Sequence, residues 1–306
     1  MHVAICIVGF RNPDDIAACL QALGSTTHQD FEVVICENGG GEAFRALGLA
    51  LPRQLPRGET VRIVDAGGNL GYAGGINVCM SATLDADAWW VLNPDTVPDP
   101  AALAQLCARL ARGGCAAVGS TIHDAGGRVE SRGGRWKPWL ARAMSVDNGL
   151  GLDEAPGAIA VAEDVNYLSG ASMLVGRDLV GRVGLMREDY FLYAEEVEWC
   201  LRAVQAGLKL GLAPQANVMH RQGASTGSVH DVRSRGRMPV YLDERNKILV
   251  TRDRYPGRLV VAAGASFALL FLRFARRGAW AQLGYGLSGW LAGLRNERGP
   301  PPWLSV

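Results

Sequence analysis

A carboxylate stands shortly after an apolar run that reads as a buried strand. Asp95 ends the tripeptide Asn93-Pro94-Asp95, which directly follows the apolar residues 89–92. Hard cations prefer oxygen ligands, so an aspartate at a strand end suits Mg²⁺ or Mn²⁺ bound to a diphosphate. Asn-Pro and Asp are also good turn residues, and a simple turn is the alternative.

A second group of carboxylates begins a predicted helix. Glu195, Glu196 and Glu198 follow the aromatic, apolar stretch 190–194. Acidic residues in a first helical turn can simply complement the helix dipole, and Glu198 could pair with Arg202 one turn later. A carboxylate emerging from apolar surroundings is partly desolvated, however, which raises its proton affinity and suits a general base.

A histidine and a glycine-rich segment complete the candidate groups. His220 follows the apolar residues 217–219. A single histidine is usually structural, but with Asp95 it becomes a candidate metal ligand. The segment 67–75 contains five glycines, which would allow close backbone approach to a phosphate or ribose. The chain has neither a GxGxxG after its first strand nor a GxxxxGK[ST], so dinucleotide and P-loop fingerprints are excluded.

Alternating strands and helices must position these groups. Apolar runs predict strands, and Asn12-Pro13 and Asp99-Pro100 predict helix starts. This β-α-β order favours a mostly parallel sheet covered by helices on both faces. Ligands then bind at the carboxyl ends of the strands. The predicted strands of this half are residues 3–8, 31–36, 61–64 and 89–92.

The second half of the chain is less regular. Residues 120–160 are rich in Gly, Arg and Trp and predict loops or irregular strands. Beyond them we expect strands at 164–175 and 209–220 and a helix at 195–205, and the tail 257–295 is helical by composition. No internal repeat or long linker divides the chain.

Composition restricts the class of protein. The 306 residues carry a net charge of +1, which argues against a generic nucleic-acid binder. Seven cysteines without a CxxC pair favour a reduced, cytoplasmic protein. The N-terminus reads as a strand rather than a signal peptide. The longest apolar run, 259–272, has 14 residues, fewer than the ~20 needed to span a bilayer. The sequence therefore predicts no clear transmembrane segment.

Taken in order, these motifs resemble those of family-two glycosyltransferases, the inverting enzymes of GT-A fold, and most closely their bacterial rhamnosyltransferase-like branch. The resemblance extends from Val3 to about Asn246. It rests on the first strand and helix, on segments 69–77, 93–95, 169–174 and 191–198, on His220, and on Arg245-Asn246 after Tyr241.

The resemblance implies the roles of the site residues. Asp95 would bind the metal, with His220 as a further ligand. Glu196 occupies the position of the catalytic base, where the family usually has Asp. Glu195 stays a candidate for the same role. The residues implied to bind the nucleotide-sugar are Phe10, Arg11, Glu37, Asn69, Gly71, Tyr72, Gly74, Gly75, Asn77, Asn93 and Arg245.

The resemblance also implies the reaction and the organisation of the chain. A sugar would pass from a nucleotide-diphosphate donor, dTDP-L-rhamnose being favoured over a UDP-hexose, to a glycan or lipid-linked saccharide. We expect a catalytic domain at 1–250, with a nucleotide-sugar-binding half at 1–115 and an acceptor-binding half at 116–250. A basic apolar helical tail would follow at 251–306.

The tail predicts a peripheral membrane contact. Residues 252–298 hold eight Arg and two acidic residues, a local charge of +6. Arginines flanking an apolar helix suit an anionic membrane surface, here the inner face of the cell membrane. Packing of the same helices on the catalytic body is the alternative.

The sequence also allows two other functions. Residues 223–227 match GxSxG, the nucleophile elbow of α/β-hydrolases, but His230 precedes the later aspartates, against the order of such triads. Because the residue at the base position is atypical, a catalytically inactive sugar-nucleotide-binding module is the second alternative.

Overall fold

Strands and helices alternate through the first part of the chain. The computed structural model describes residues 1–221 and 232–304. The four predicted strands are present within one or two residues of their expected bounds, each followed by a helix or a tight turn. These elements are β1 (Val3–Gly9), α1 (Pro13–Leu23), β2 (Phe31–Glu37), α2 (Gly41–Ala50), β3 (Val61–Asp65), α3 (Gly71–Ser81) and β4 (Ala88–Leu92).

The second part adds further strands and helices of widely different lengths. Its strands are β5 (Thr96–Pro98), β6 (Ala117–His123), β7 (Val129–Ser131), β8 (Gly134–Lys137), β9 (Arg142–Ser145), β10 (Ser172–Gly176) and β11 (Leu210–His220). Its helices are α4 (Ala102–Ala111), α5 (Ala158–Val161), α6 (Arg177–Val183), α7 (Glu195–Gln205), α8 (Arg237–Arg254), α9 (Leu259–Phe274) and α10 (Trp280–Leu294).

The strand expected at 164–175 is much shorter than predicted. Only β10 joins the main sheet. Upstream of it, the backbone N–H groups of Asn166 and Tyr167 donate to the Gly134 carbonyl in β8. The apolar run is therefore divided between two sheets, with residues 169–171 turning between them.

The main sheet is parallel on one side and mixed on the other. Its strand order is β3-β2-β1-β4-β10-β6-β11-β5. β1 pairs in parallel with both β2 and β4, whereas β10 runs antiparallel to β4 and β6. The carboxyl ends of β1 to β4 consequently meet at one edge, where open α/β sheets bind ligands.

Helices cover both faces of this sheet. β1 is buried along its whole length, as its continuous apolar sequence predicts. α1 and α4 pack on one face, and α3, α7 and α8 on the other. The seven cysteines are free, and all except Cys115 are buried.

The C-terminal helices pack on the body through α10 and expose one face of α9. Gly289 and Gly293 of α10 lie against the backbone of α8: a Cβ on Gly293 would stand 2.7 Å from the Arg245 carbonyl oxygen. The boundary expected at residue 250 falls inside α8. The tail is thus continuous with a buried helix that packs on the main sheet.

The length of the α9 region differs from the expectation. Short 3₁₀ turns extend it into one continuous helix, Pro256–Arg277, whose 22 residues are long and apolar enough to cross a membrane by length and composition alone. The apolar run counted in the sequence has only 14 residues. The helix is longer because the polar and glycine residues at both ends of this run are also helical. Only 28% of its apolar stretch is buried inside the structure.

Candidate active site

A cavity of about 470 Å³ opens at the carboxyl ends of the parallel strands. That volume is in the range of small-molecule sites. The end of β1, the turn after β4 and the start of α7 surround it. The predicted site residues that line the cavity are Phe10, Asn69, Gly71, Tyr72, Asn93, Asp95, Glu195, Glu196 and His220.

Asp95 and His220 form a pair at one side of this cavity. β11 runs antiparallel to β5, which brings His220 beside the turn that carries Asp95. The imidazole Nε2 lies 3.3 Å from Asp95 Oδ1, and Nδ1 lies 3.3 Å from Glu130 Oε2. Burial alone would lower the pKa of His220, but hydrogen bonds to Asp95 and Glu130 raise it to about 9. His220 therefore contacts one carboxylate with each of its ring nitrogens.

Glu195 and Glu196 line the same cavity from the first turn of α7. The Glu195 side chain is buried, and its Oε2 has no hydrogen-bond partner among the described residues. Burial, and then the charge of Glu196, raise its pKa well above the ordinary value. Burial also raises the pKa of Glu196, but backbone hydrogen bonds oppose it and leave the value at about 6. At neutral pH Glu196 is mostly ionised, whereas the raised pKa of Glu195 favours its protonated form.

The loop before α7 has an unusual backbone. Phe191, Tyr193 and Ala194 have φ angles of 68°, 73° and 66°. Non-glycine residues in this left-handed region cost free energy and persist only where their surroundings impose the conformation. This loop sets the direction in which the two glutamates enter the cavity.

A single buried amide holds that loop. Asn246 Nδ2 lies 3.1 Å from the carbonyl oxygen of Tyr190, 2.9 Å from that of Leu192 and 2.6 Å from that of Tyr193. Arg245 Nη2 also donates to the Tyr190 carbonyl, at 2.8 Å. Both residues belong to α8, so this helix positions the start of α7.

The segment 69–72 closes the loop from the other side. The Tyr72 N–H donates to the Phe191 carbonyl at 2.8 Å, and the Tyr72 hydroxyl donates to the Gly170 carbonyl at 2.7 Å. Gly71 has φ +72°, and a Cβ there would overlap the Phe191 carbonyl. Only glycine allows this close approach of the two segments.

Six of the predicted binding residues do not line the cavity: Arg11, Glu37, Gly74, Gly75, Asn77 and Arg245. Each supports the backbone around it. Glu37 accepts from the N–H groups of Arg11 and Gly39, at 3.1 and 2.7 Å, and Arg11 donates to the Gly39 carbonyl.

The remaining four are packed against neighbouring elements. Asn77 donates to the Met186 carbonyl at 2.9 Å, and Arg245 donates to the Gly299 carbonyl at 2.7 Å. Gly74 and Gly75 bring α3 close to Leu70 and to Val8 of β1. A binding role for these six residues stays a prediction.

Three residues of the site were not identified in the sequence. Glu130 is the second partner of His220, and Met238 and Leu304 are part of the cavity wall. Each lies in a segment without a motif, so no local signal marks it. The GxSxG sequence at 223–227 lies outside the described residues.

Comparison with known proteins decides the family. A sequence model described as "Glycosyltransferase like family 2" matches residues 2–238, more than three quarters of the chain. The chain belongs to this family. It is therefore a glycosyltransferase, and the predicted rival class, an α/β-hydrolase, finds no support in this match.

Two curated relatives extend over most of the chain. The low-salt glycan biosynthesis hexosyltransferase Agl10 of Haloferax volcanii is 23% identical over 254 residues, which cover 82% of this chain and 76% of that protein. The N-acetylglucosaminyl-diphospho-decaprenol L-rhamnosyltransferase of Mycobacterium tuberculosis is 28% identical over 229 residues, covering 68% of this chain and 72% of that protein.

A solved structure agrees with the predicted fold. The mannosyltransferase PcManGT from Pyrobaculum calidifontis, in complex with GDP-Man and Mn²⁺, superposes with a TM-score of 0.55 at 15% sequence identity. The match covers 97% of this chain and 88% of that chain. It confirms the GT-A glycosyltransferase fold, with the C-terminal helices following it.

Proposed function

We propose that this glycosyltransferase moves a sugar, with inversion, from a nucleotide-diphosphate donor to an acceptor hydroxyl. The observation that supports this proposal most directly is that one cavity holds an ionised Glu196 together with the Asp95–His220 pair. In the reaction the acceptor oxygen bonds to the anomeric carbon as the bond from that carbon to the diphosphate breaks. The acceptor proton passes to Glu196, and the nucleoside diphosphate leaves.

The neighbouring glutamate takes a different part. Burial and the charge of Glu196 raise the pKa of Glu195 well above its ordinary value, so Glu195 gives up its proton less readily than an exposed glutamate does. The pKa of Glu196 is about 6, which suits a base at neutral pH, and we assign the general base to Glu196.

The residues at the strand end fit a divalent cation. Asp95 supplies a carboxylate oxygen, and His220 supplies an imidazole nitrogen once the cation displaces the proton that this ring holds beside Asp95 and Glu130. Mn²⁺ accepts such an oxygen and nitrogen pair more readily than Mg²⁺ does. Among the described residues no group of three side chains is arranged to hold a metal ion by itself. Such cations commonly take only one or two carboxylates from the protein and complete their shell with phosphate oxygens and water. A cation here would neutralise charge on the departing diphosphate.

We favour dTDP-L-rhamnose as the donor and a lipid-linked saccharide as the acceptor. The mycobacterial relative is named as an L-rhamnosyltransferase acting on N-acetylglucosaminyl-diphospho-decaprenol, which supports both choices. The archaeal relative, named as a hexosyltransferase, supports the alternative of a UDP-hexose donor. An inactive binding module is disfavoured because both candidate catalytic carboxylates face the cavity.

A lipid-linked acceptor places the protein at the cytoplasmic face of the membrane. The exposed residues of α9 follow helical spacing and form an apolar stripe of Val260, Val261, Gly264, Phe267, Ala268, Phe271 and Leu272. At its two ends lie Trp139, stacked under Arg258 at 4.6 Å, and Trp280, which is 66% exposed. Indole rings and arginines beside an apolar helix face suit the headgroup level of an anionic bilayer.

A donor screen tests the proposal. We would measure release of nucleoside diphosphate from dTDP-rhamnose, UDP-glucose, UDP-galactose and GDP-mannose, with Mn²⁺ or with a chelator. Turnover should occur with one donor, require the cation and vanish in Asp95→Ala. Glu196→Gln should lower the rate by ~10²–10⁴ while donor binding persists. Unchanged activity in Glu196→Gln, or a large loss confined to Glu195→Gln, would contradict the assignment of the base.

A further inference from the structure

The β8–β9 hairpin exposes large apolar side chains at its tip. Its two strands pair antiparallel and are joined by the turn 138–141. Trp139 and Leu140 in this turn are 52% and 40% exposed, and Met144 of β9 is 40% exposed. Trp136 of β8, by contrast, is buried in an apolar cluster that also contains residues of α7 and α8. The hairpin is therefore anchored through one face and presents apolar side chains to solvent on the other.

The exposed face of the hairpin is also positively charged. Residues 134–145 contain three basic side chains and no acidic one. Lys137 and Arg142 are opposite each other in the register of the two strands, so their side chains share the face that points away from Trp136. Both are exposed, and neither forms an ion pair with any residue in the described part of the chain. Apolar side chains surrounded by cations are typical of a segment that meets an anionic membrane.

The tip of the hairpin lies beside the start of the apolar stripe of α9. The Arg258 guanidinium is 4.6 Å from the ring centre of Trp139, and Arg258 precedes Val260, the first residue of the stripe, by two positions. The hairpin and α9 are more than 100 positions apart in the sequence. Their contact joins two exposed apolar segments into one surface with arginines between them.

We propose that the β8–β9 hairpin inserts its tip into an anionic phospholipid bilayer, as a second membrane contact beside α9. This inference rests on the membrane contact proposed for α9 and extends it to a separate element. Trp139 and Leu140 would enter the boundary between headgroups and acyl chains, where indole rings and apolar side chains are favoured. Lys137 and Arg142 would lie against the lipid phosphates.

The hairpin also connects this surface to the active-site cavity. The Gly134 N–H at the start of β8 donates to the Tyr167 carbonyl at 2.9 Å. Tyr167 precedes Ser169, which lines the cavity, by two positions. A single helix lying on a bilayer leaves the protein free to rotate about the helix axis, whereas a second contact beside it fixes that rotation. The hairpin would therefore hold the cavity in one orientation relative to a lipid-linked acceptor.

Matched variants test the hairpin by vesicle binding. We would measure cosedimentation of the full chain at low salt with vesicles of phosphatidylglycerol and phosphatidylcholine. Leu140→Ser should weaken binding several-fold, whereas Leu84→Ser, in a 72% exposed turn before β4, should leave it unchanged. Arg142→Gln should weaken binding about fivefold, the effect of one arginine near an anionic surface. Arg112→Gln removes the same charge from the exposed end of α4 and should have no effect.

The fluorescence of Trp139 measures insertion directly. The difference between the emission spectra of wild type and Trp139→Phe reports this indole. With the same vesicles this difference should shift to shorter wavelength, and brominated lipid should quench it. A difference spectrum that vesicles leave unchanged would overturn the hairpin contact.

Other outcomes separate this inference from the proposals on which it rests. If Leu140→Ser and Arg142→Gln pellet like wild type while Val260→Ser with Leu272→Ser is released, the hairpin contact is wrong and the α9 contact stands. Wild type that never pellets would overturn both contacts. Hairpin variants that change only the association of the protein with itself, without lipid, would assign the patch to a second copy of the chain. Since no donor or acceptor is present, a wrong donor or base assignment leaves these results unchanged.

Discussion

At the scale of single residues, two adjacent glutamates have different proton affinities. Both are in the first turn of α7, but the buried Glu195 leaves Oε2 without a hydrogen-bond partner among the described residues, whereas Glu196 is reached by several backbone N–H groups. Hydrogen bonds to a carboxylate favour its charged form, whereas desolvation disfavours it. The balance keeps Glu196 ionised at neutral pH with a pKa close to that of an efficient base.

The pH dependence of the reaction follows from this balance. A base works as the carboxylate, so kcat/KM should fall below pH 6, by about tenfold for each further pH unit. The folded-state pKa of Glu196, about 6, lies above the ordinary value of 4.5. The fall in kcat/KM should therefore begin at a higher pH than it would with an exposed glutamate as the base. A pH-rate profile with a cation-saturated enzyme measures it. Glu195→Gln should show the same fall in kcat/KM at acid pH. If the midpoint of this fall shifts to another pH in the variant, the titrating group is Glu195.

Asn246 is a positioning residue for the same reaction. Asn246→Ala removes the amide donor from the carbonyls of Leu192 and Tyr193, at a cost of ~1–3 kcal/mol for each carbonyl left unpaired and buried, whereas the Tyr190 carbonyl keeps its bond from Arg245. The loop would relax from its left-handed conformation and turn Glu196 away. We expect kcat to fall by at least about tenfold with little change in donor KM. Asn217→Ala, whose amide bonds the exposed Asp99, is the control. An equal fall in kcat and rise in donor KM would instead indicate general loss of structure.

At the scale of elements, α8 connects the tail with the active site. Its residues Arg245 and Asn246 hold the loop before α7, and its opposite side packs against α10. Tyr241 also meets Trp303 edge to face, with ring centres 4.5 Å apart, and the neighbouring Leu304 lines the cavity. A change in α10 should therefore alter the rate of the reaction.

Two glycines of α10 provide a matched test. A Cβ on Gly289 would overlap the Tyr241 carbonyl, whereas a Cβ on Gly284 would meet nothing within 4 Å. Gly289→Ala forces the helices apart and should lower the free energy of unfolding by ~1–3 kcal/mol. Gly284→Ala should raise it by up to ~1 kcal/mol, through helix propensity. Thermal or denaturant unfolding measures both. Equal stability of the two variants would mean that α10 does not pack closely on α8.

At the scale of the whole molecule, the apolar stripe of α9 sets how the protein would meet a bilayer. α10 packs inward while α9 keeps the stripe exposed, so packing on the body and membrane contact are compatible. The local charge of +6 over 252–298 adds attraction to anionic lipid, ~1 kcal/mol for each arginine near the surface.

Cosedimentation with vesicles checks this orientation. The full chain should pellet with anionic vesicles at low salt and less at high salt, since electrostatic attraction is screened. Replacing Val260 and Leu272, which are 86% and 53% exposed, by Ser should release it. Leu49→Ser, at a 91% exposed position on α2, is the control and should leave pelleting unchanged. Full-length protein that stays in the supernatant under every condition would contradict the membrane contact.

Local patterns in the sequence were sufficient for most of the framework. The apolar runs predicted β1 to β4, because a strand buried on both faces needs continuous apolar residues. The helix starts predicted at Asn12-Pro13 and Asp99-Pro100 lie within one or two residues of the observed starts. The resemblance to family-two glycosyltransferases, and with it the candidate base and metal positions, rested on motifs of the same local kind.

The sequence by itself determined the family, the order of elements and which residue types reach the carboxyl ends of the strands. Only the tertiary structure decided the state and setting of those residues. Glu130 and His220 are 90 positions apart, and Asn246 lies more than 50 residues after the carbonyls it holds. Burial and hydrogen bonding depend on such distant neighbours. For the same reason the raised pKa of Glu195 and the place of Leu304 in the cavity wall had no local signal.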